Sequence, residues 1–277
     1  MNNTLRLLVQ RIPKLPTLPS IAREILMLID NDSLSIDRLE DVLDRDPSIS
    51  SKVLGLSNSA FFRPDKPIST IRDAIFRIGF KNVKTIALSV SLLTLLKDEG
   101  TSSVIDYQMV FRHSFSVGMV SKSLSDILRL PISEASFTSG LLHDLGILVL
   151  NAYFPNYYQK VIDDIREGNF ITDSELKILG FTHAEIGAWL ADKWNLPIAI
   201  KDVILYHHNI SGAKRFLDMI AIVHISDFIT CKNIPSLMNR EGIYRFDPLS
   251  LEVLKITEKQ LVEIESSLDK SIFSQDG

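Results

Sequence analysis

The motif His143-Asp144, within Gly140-Leu-Leu-His-Asp-Leu-Gly146, places an imidazole beside a carboxylate in an otherwise apolar segment. Burying both groups without partners is costly, because each loses its hydrogen bonds to water. A divalent metal ion is one partner that satisfies an imidazole and a carboxylate at once. The motif therefore predicts a metal site built around these two residues.

The chain beyond residue 100 holds further side chains suited to the same site. The candidate ligands are His113, His183, the adjacent His207 and His208, and Asp227. A mixed set of imidazoles and carboxylates suits Fe, Mn, Zn or Ni better than Ca or Mg, which prefer oxygen ligands. We expect one or two such ions, since two ions close together would activate a water and hold a phosphoryl group.

Taken singly, each histidine has a simpler interpretation. A lone histidine in a helix, such as His113, is usually a hydrogen-bonded core residue, and His183 at a helix start is usually exposed. His207 and His208 lie near a helix end, where they can interact with the last backbone carbonyl groups. His224 is interpreted as a core residue or as one that supports a ligand.

The hydrophobic pattern predicts an all-α fold, a multi-helix bundle, because apolar residues recur at helical spacing almost throughout and no alternating strand pattern occurs. Asp46 followed by Pro47 is typical of a helix start, and Gly79 of a helix end. The polar segment 97–103 predicts a boundary between an N-terminal helical subdomain, residues 1–100, and a second helical subdomain, residues 101–277.

The helices that must position the candidate ligands follow this boundary. The pattern predicts helices over 109–128, 133–154 and 156–167, with His143-Asp144 inside the second of them. Two Thr-x-x-Glu capping boxes, beginning at Thr172 and Thr182, predict the next two helix starts. Pro197 is expected to open a helix that runs to His207-His208, residues 217–231 form an apolar helix that carries Asp227, and Thr257 with Gln260 starts one near the C-terminus.

Composition excludes several classes of function. Acidic residues outnumber basic ones by 34 to 30, so binding to nucleic acid through a cationic surface is not expected. Cys231 is the single cysteine, which rules out an internal disulfide and fits a reducing cytosol. The sequence has no signal-peptide pattern and no apolar run of about 18 residues, so we expect a cytoplasmic protein without a membrane segment.

The order of the candidate ligands resembles that of the HD superfamily of metal-dependent phosphohydrolases. Short motifs on both sides of residue 100 are similar, more narrowly, to the HDOD family, and the likeness covers roughly residues 10–235. The motifs that carry it include Leu15-Pro-Thr-Leu-Pro19, Asp46-Pro-Ser-Ile-Ser50, Leu56-Ser-Asn-Ser-Ala-Phe61, Phe111-Arg-His-Ser114, Gly140-Leu-Leu-His-Asp-Leu-Gly146, His183-Ala-Glu-Ile-Gly-Ala-Trp-Leu190 and Trp194-Asn-Leu-Pro197.

The resemblance implies an N-terminal helical bundle packed on an HD-like helical bundle, and a role in bacterial signalling. Many HDOD members are thought to have lost catalysis because their ligand positions have changed. This chain keeps a suitable residue at each ligand position of the related two-metal HD-GYP phosphodiesterases. By that comparison the metal ligands are His113, His143, Asp144, His183, His207, His208 and Asp227.

The chain also departs from the active enzymes in its contacts to substrate. Those enzymes often carry a lysine directly after the His-Asp-x-Gly motif, whereas here Gly146 is followed by Ile147. The Gly-Tyr-Pro signature that should follow the double histidine is absent. Lys214 or Arg215 would have to replace these phosphate contacts, and both also suit a solvated loop.

Two functions remain open on the sequence alone. The first is a regulatory protein of a signalling pathway that acts through a protein partner, with a nucleotide as a further ligand and without catalysis. The second is a metal-dependent phosphohydrolase, a phosphodiesterase of nucleotides, in which Asp144 bridges two ions. Redox or gas sensing by a bound iron is permitted by the ligand set, but no other feature indicates it.

Overall fold

The computed structural model describes residues 9, 17–28, 33–59, 62, 66–98, 104–234 and 244–273. Its regular elements within these ranges are all helices, which confirms the predicted all-α fold. Among the described helices, none has both the length and the hydropathy needed to cross a membrane.

The contacts divide the chain into two units. The N-terminal unit comprises residues 17–95 with 269–277, and the histidine unit comprises residues 1–16 with 96–268. The predicted subdomains 1–100 and 101–277 stay a prediction, and residues 99–103 of the proposed boundary segment lie outside the described residues.

The N-terminal unit is built from helices whose ends follow the sequence signals. Asp46 Oδ1 accepts hydrogen bonds from the backbone N–H groups of Ser48 and Ile49, at 3.0 and 3.1 Å, and Pro47 is the first helical residue, as predicted. Gly79, with a φ of 91°, ends the next helix, as predicted. The helices here are α1 (Ser20–Leu26), α2 (Ser33–Asp44), α3 (Pro47–Ser57), α4 (Ile71–Ile78) and α5 (Phe80–Asp98), of which α5 continues past residue 95.

The histidine unit contains all the candidate ligands. Its helices are α6 (Tyr107–Ile127), α7 (Ser133–Leu142), α8 (Leu145–Tyr153), α9 (Pro155–Arg166), α10 (Ile171–Leu179), α11 (His183–Lys193), α12 (Ile198–Tyr206), α13 (Leu217–Asn233), α14 (Leu249–Leu254) and α15 (Glu258–Ser267). The capping boxes at Thr182 and Thr257 both form, as predicted.

Two glycines of the His-Asp motif allow helices to approach closely. A Cβ atom on Gly140 would lie 2.8 Å from Cα of Gly118, so α6 and α7 are in backbone contact there. A Cβ atom on Gly146 would lie 1.9 Å from the backbone oxygen of His183, so α8 and α11 meet at a second such contact. Both glycines therefore bring the His-Asp motif next to helices that carry other candidate ligands.

The predicted helix over 133–154 is wrong at its centre, because the chain breaks between Leu142 and Leu145. His143 Nδ1 lies 2.7 Å from the backbone oxygen of Gly140. In an uninterrupted helix that oxygen would accept from the N–H of Asp144. The imidazole of His143 takes this acceptor, and Asp144 becomes the first residue before α8.

The capping box predicted at Thr172 is also wrong. The N-cap is Phe170 and helix α10 begins at Ile171, two residues before the start that a cap at Thr172 predicts, and Phe170 makes no side-chain capping bond. Glu175 is fully buried and its carboxylate is directed to His183 instead of to the start of its own helix.

Asp164 on α9 bonds to two residues of α10, and its replacement tests how much these bonds stabilise the fold. Asp164 Oδ2 accepts from the buried Ser174 hydroxyl at 2.8 Å, and Lys177 pairs with Oδ1. We predict that Asp164→Ala lowers the free energy of unfolding by roughly 1 to 2 kcal/mol, since Ser174 loses its acceptor. The exposed Lys177 should contribute little to this loss.

The same carboxyl group has a predicted pH dependence. The hydrogen bond from Lys177 and that from Ser174 lower the pKa of Asp164 in the folded state. Its stabilising effect is therefore present above the ordinary aspartate pKa and is lost as the pH falls through the folded value. Urea denaturation at pH 7 and below pH 4 should show the difference from Asp164→Ala shrinking in acid. The exposed neighbour Asp163→Ala serves as the control, and an equal loss there would contradict the prediction.

Candidate metal centre

Seven side chains converge at one buried position in the histidine unit. All of them except the half-buried His208 belong to residues that are at most 4% exposed. They come from α6 (His113), the α7–α8 break (His143 and Asp144), the start of α11 (His183), the residues after α12 (His207 and His208) and α13 (Asp227). The structure thus brings together every residue that the sequence suggested as a metal ligand, and their role as ligands stays a prediction.

One side of this cluster, which we call the first half-site, comprises His113, His143, Asp227 and Oδ2 of Asp144. Asp144 Oδ2 lies 3.1 Å from His143 Nε2 and 3.5 Å from His113 Nε2. Asp227 Oδ1 lies 3.0 Å from His113 Nε2 and 3.7 Å from His143 Nε2. Two imidazoles and two carboxylate oxygens therefore face one point.

The other side, the second half-site, comprises His183, His207, His208 and Oδ1 of Asp144. Asp144 Oδ1 lies 3.4 Å from His183 Nε2 and 3.8 Å from His207 Nε2. The two Nε2 atoms of His183 and His207 are 3.3 Å apart. Each of the three histidines offers one nitrogen within 4.8 Å of the others. The two carboxylate oxygens of Asp144 thus face different half-sites. The half-sites adjoin, because His207 also offers an atom within 4.8 Å of His143 and Asp227.

These separations suit coordination to one ion on each side. Two ligands at about 2.1 Å from a tetrahedral ion lie roughly 3.4 Å from each other. The separations of 3.0 to 3.8 Å between the facing atoms of each half-site span that value.

Backbone and carboxylate acceptors decide which nitrogen of each ring faces the centre. The Nδ1 atoms of His143 and His207 lie 2.7 and 2.8 Å from the backbone oxygens of Gly140 and Ile204. A carbonyl oxygen only accepts, so Nδ1 must donate, and the lone pair of a neutral ring is then on Nε2. In His183, Nδ1 lies 2.8 Å from Glu175 Oε2, with the same result. A carboxylate or carbonyl that orients a histidine in this way is typical of metal sites.

Several polar atoms of the cluster have no hydrogen-bond partner among the described residues. His113 Nε2, His143 Nε2, His208 Nε2 and both carboxylate oxygens of Asp144 are buried and make no hydrogen bond of acceptable geometry within that part of the chain. Buried polar atoms are almost always satisfied in folded proteins, so this cluster needs a further group. The Nε2 lone pairs of His183 and His207 would otherwise oppose each other at 3.3 Å. The donor set fits a transition metal, and the buried His/Asp clusters could bind one.

Electrostatics point to the same need for positive charge. Burial lowers the pKa of His143, but the charges of Asp144 and Asp227 outweigh burial and raise it to about 10. Burial raises the pKa of Asp144, but the neighbouring His143 outweighs this and lowers it to about 2. Burial, followed by the charge of His143, lowers the pKa of His207 to about 3. The raised pKa of His143 favours a proton there, which would supply positive charge in the absence of a metal, and a bound metal ion would have to displace that proton.

Glu175 and His224 support the candidate ligands from outside the cluster. The sequence pattern predicts Glu175 in a capping box, but in the structure its carboxylate accepts from both the ring and the backbone N–H of His183. His224 was expected to be a core or supporting residue, and it is both. Its Nδ1 lies 2.7 Å from the backbone oxygen of His207, and its Nε2 accepts from the N–H of Asp247 at 2.9 Å. The interpretation of His183 as exposed is wrong, since the residue is fully buried.

Tyr244 is a residue of the site that no sequence pattern indicated. Its ring stacks on His208 with centroids 4.7 Å apart and an angle of 18° between the planes. It also lies nearly parallel to His113, at 6.4 Å and 14°. The tyrosine is buried, and its hydroxyl meets no hydrogen-bond partner within the described ranges. It therefore contacts one histidine of each half-site.

The two candidate phosphate contacts lie in the loop after the double histidine. Arg215 pairs with the buried Asp202 at 2.9 Å, while its own side chain is 58% exposed. Lys214 is exposed. Their role in phosphate binding stays a prediction.

Comparison with known proteins places this arrangement in a family. A family model of the HDOD domain matches residues 15–210, which is most of the chain. The chain belongs to the HDOD family. This confirms the resemblance drawn from the sequence motifs on both sides of residue 100.

Relatives of this HDOD protein agree in fold. A crystal structure of an HDOD domain protein of unknown function from Geobacter sulfurreducens has a TM-score of 0.80 and 25% identity, and 97% of each chain is covered. A Shewanella amazonensis protein, named a phosphohydrolase by inference, has a TM-score of 0.73 and 22% identity, with 96% of this chain and 95% of that chain covered. This second likeness shows the fold alone.

An uncharacterised protein of Treponema pallidum (strain Nichols) is 28% identical over 211 residues. The match covers 75% of this HDOD chain and 40% of the Treponema protein. The chain therefore spans well under half the length of that curated relative.

Changing Glu175 to Gln tests the orientation of His183. Glutamine keeps the shape but removes the charge that strengthens the bond to Nδ1, so we expect affinity for Mn²⁺ or Zn²⁺ to fall roughly 10- to 100-fold. Isothermal titration of the metal-stripped HDOD protein measures this. Glu185→Gln is the matched control, because glutamine also completes a capping box there. Equal affinities for Glu175→Gln and the parent would show that Glu175 has no role at the centre.

Removing metal tests whether the centre contributes to the folded state. At a free metal concentration about 100 times the dissociation constant, binding stabilises the native state by roughly 2.7 kcal/mol. For a protein of this size we expect a chelator to lower the melting temperature by about 5 to 10 °C. Calorimetry with and without EDTA, followed by metal addition, checks this. Asp144→Asn should abolish the difference, and a difference that persists there would place the stabilising ion elsewhere.

Proposed function

We propose that this HDOD protein is a regulatory protein whose buried metal centre sets its affinity for a protein partner, and that it does not hydrolyse phosphoesters. The observation that carries the proposal is the enclosure of a complete ligand set. Six of the seven ligand-type residues are at most 4% exposed, and Tyr244 lies on the seventh, His208. A centre of this kind can be occupied while offering little surface to a substrate.

Two described positions where a phosphate contact was expected do not offer a free cation. Enzymes of this chemistry place positive side chains on the phosphate oxygens. Ile147, which stands where related enzymes often have a lysine, is fully buried and apolar. Arg215 is engaged with the buried Asp202. These positions support a role in binding over one in catalysis.

The partner in this proposal is a separate protein or a second copy of the chain, within a signalling pathway. A nucleotide remains the favoured small ligand, because phosphate oxygens are natural ligands of a divalent ion. Metal binding would shift the helices that supply the ligands. The histidine unit would then present a different surface to the partner.

A metal-dependent phosphohydrolase is the second candidate, favoured by the geometry of Asp144. Its two oxygens face different groups, Oδ2 towards His143 and Oδ1 towards His183. The residues of the first half-site would hold one ion and those of the second half-site another. Two bound ions would supply an activated water and neutralise charge on a phosphoryl group.

A combined metal and turnover assay separates these functions. We expect protein purified without chelators to contain Fe, Mn, Zn or Ni in at least equimolar amount by elemental analysis. We also expect no hydrolysis of cyclic dinucleotides or of bis-p-nitrophenyl phosphate above the metal-only background, with Mn²⁺ or Fe²⁺ supplied. Asp144→Ala is the control. Turnover that is present in the parent and lost in this variant would reverse the assignment in favour of the phosphohydrolase.

A further inference from the structure

Residues 244–247 form a short irregular segment of the histidine unit that begins with Tyr244 against the candidate ligands, and we call it the strap. Tyr244 stacks on His208 and lies parallel to His113, so one ring covers both half-sites. The hydroxyl of Tyr244 is buried and has no hydrogen-bond partner among the residues that the structure describes, which is an unfavourable state for a buried donor. The strap is thus in direct contact with the ligands without being bonded to them through its tyrosine.

The other strap residues hold this ring in place by contacts outside the centre. Arg245 pairs with Asp173 at 3.0 Å, and its guanidinium lies 4.8 Å from the ring centroid of Phe170. Both partners lie at the start of α10, the helix that also carries Glu175. Arg245 is 66% exposed, so this anchor is open to solvent and weak.

The end of the strap is tied to the backbone of the double histidine. Phe246 packs on Phe228 and on the ring of His224, with centroids 4.8 and 5.5 Å apart. The N–H of Asp247 donates to Nε2 of His224, whose Nδ1 donates to the backbone oxygen of His207. A movement of the strap therefore changes the support of His207 and the cover of His208 together.

We propose that the strap is a gate of the metal centre: it closes over the two half-sites and must be displaced before a metal ion, or a phosphate-bearing ligand of that ion, can enter or leave. The proposal rests on the proposed function, because it requires a bound metal. It adds that Tyr244 acts as the cover and Arg245 as the releasable anchor. Displacement of the strap would also expose Tyr244 and Phe246, so entry or release of a metal ion would change the surface of the protein.

Metal exchange kinetics test the gate. The full chain is loaded with Co²⁺, whose visible spectrum reports occupancy, and both association and release to EDTA are followed by stopped flow. A gate that opens more often speeds entry and exit alike, so we expect both rates to rise roughly tenfold in Tyr244→Ala and several-fold in Arg245→Ala, with equilibrium affinity changed less than about threefold. Arg245 pairs with Asp173 and lies over the ring of Phe170, neither of which is a candidate ligand, so its effect separates gating from damage to the centre.

Matched controls and contrary outcomes complete the test. Tyr157→Ala and Arg166→Ala remove an exposed tyrosine and an exposed, ion-paired arginine elsewhere in the histidine unit, and both should keep the parent rates. Unchanged rates in Arg245→Ala and Tyr244→Ala would overturn the gate, as would faster release without faster entry, which indicates a merely supporting role. Absence of Co²⁺ binding by the parent would instead overturn the proposed function, and the gate with it.

Discussion

The arrangement of this centre depends on the hydrogen bonds that the Nδ1 atoms of His143, His183 and His207 donate. The backbone oxygens of Gly140 and Ile204 and the carboxylate of Glu175 each require Nδ1 to be the donor. The Nε2 lone pairs are then turned inward, towards the carboxylate of Asp144. Negative groups and lone pairs meet in a region closed to water, where their repulsion is strong. Only a positive charge makes that arrangement favourable, whether it is a proton on His143 or a metal ion.

Close packing of the helices brings the candidate ligands together at a single site. Gly140 permits backbone contact between α6 and α7, and Gly146 permits the same between α8 and α11. Any side chain at either position would separate helices that supply ligands on both sides of Asp144. The two glycines that frame the His-Asp motif are therefore part of the site, although neither carries a group that binds a metal.

The all-α fold, the family and the side chains that meet at one buried position were predictable, because residue chemistry and helical periodicity can both be read from the order of the residues. That these side chains bind a metal stays a prediction. The sequence pattern predicts an unbroken helix through His143, where the structure has a break. The imidazole of His143 bonds to a backbone oxygen of the preceding turn, and hydrophobic periodicity gives no sign of that bond. Glu175 fits the Thr-x-x-Glu pattern of a cap as well as it fits a buried acceptor, and only tertiary contact decides between them. Tyr244 lies beyond the last candidate ligand, in a segment with no regular spacing, so its stacking was not predictable.

The order of the ligands along the chain has a consequence for how the protein folds. His113 on α6 and Asp227 on α13 are far apart in the chain, with six α-helices between them, yet their side chains meet at 3.0 Å. Such a non-local contact is slow to form, because closing the intervening chain costs entropy before any contact repays it. Metal capture would accordingly be a late step of folding. A bound ion would cross-link distant segments and slow unfolding in the manner of a long-range disulfide.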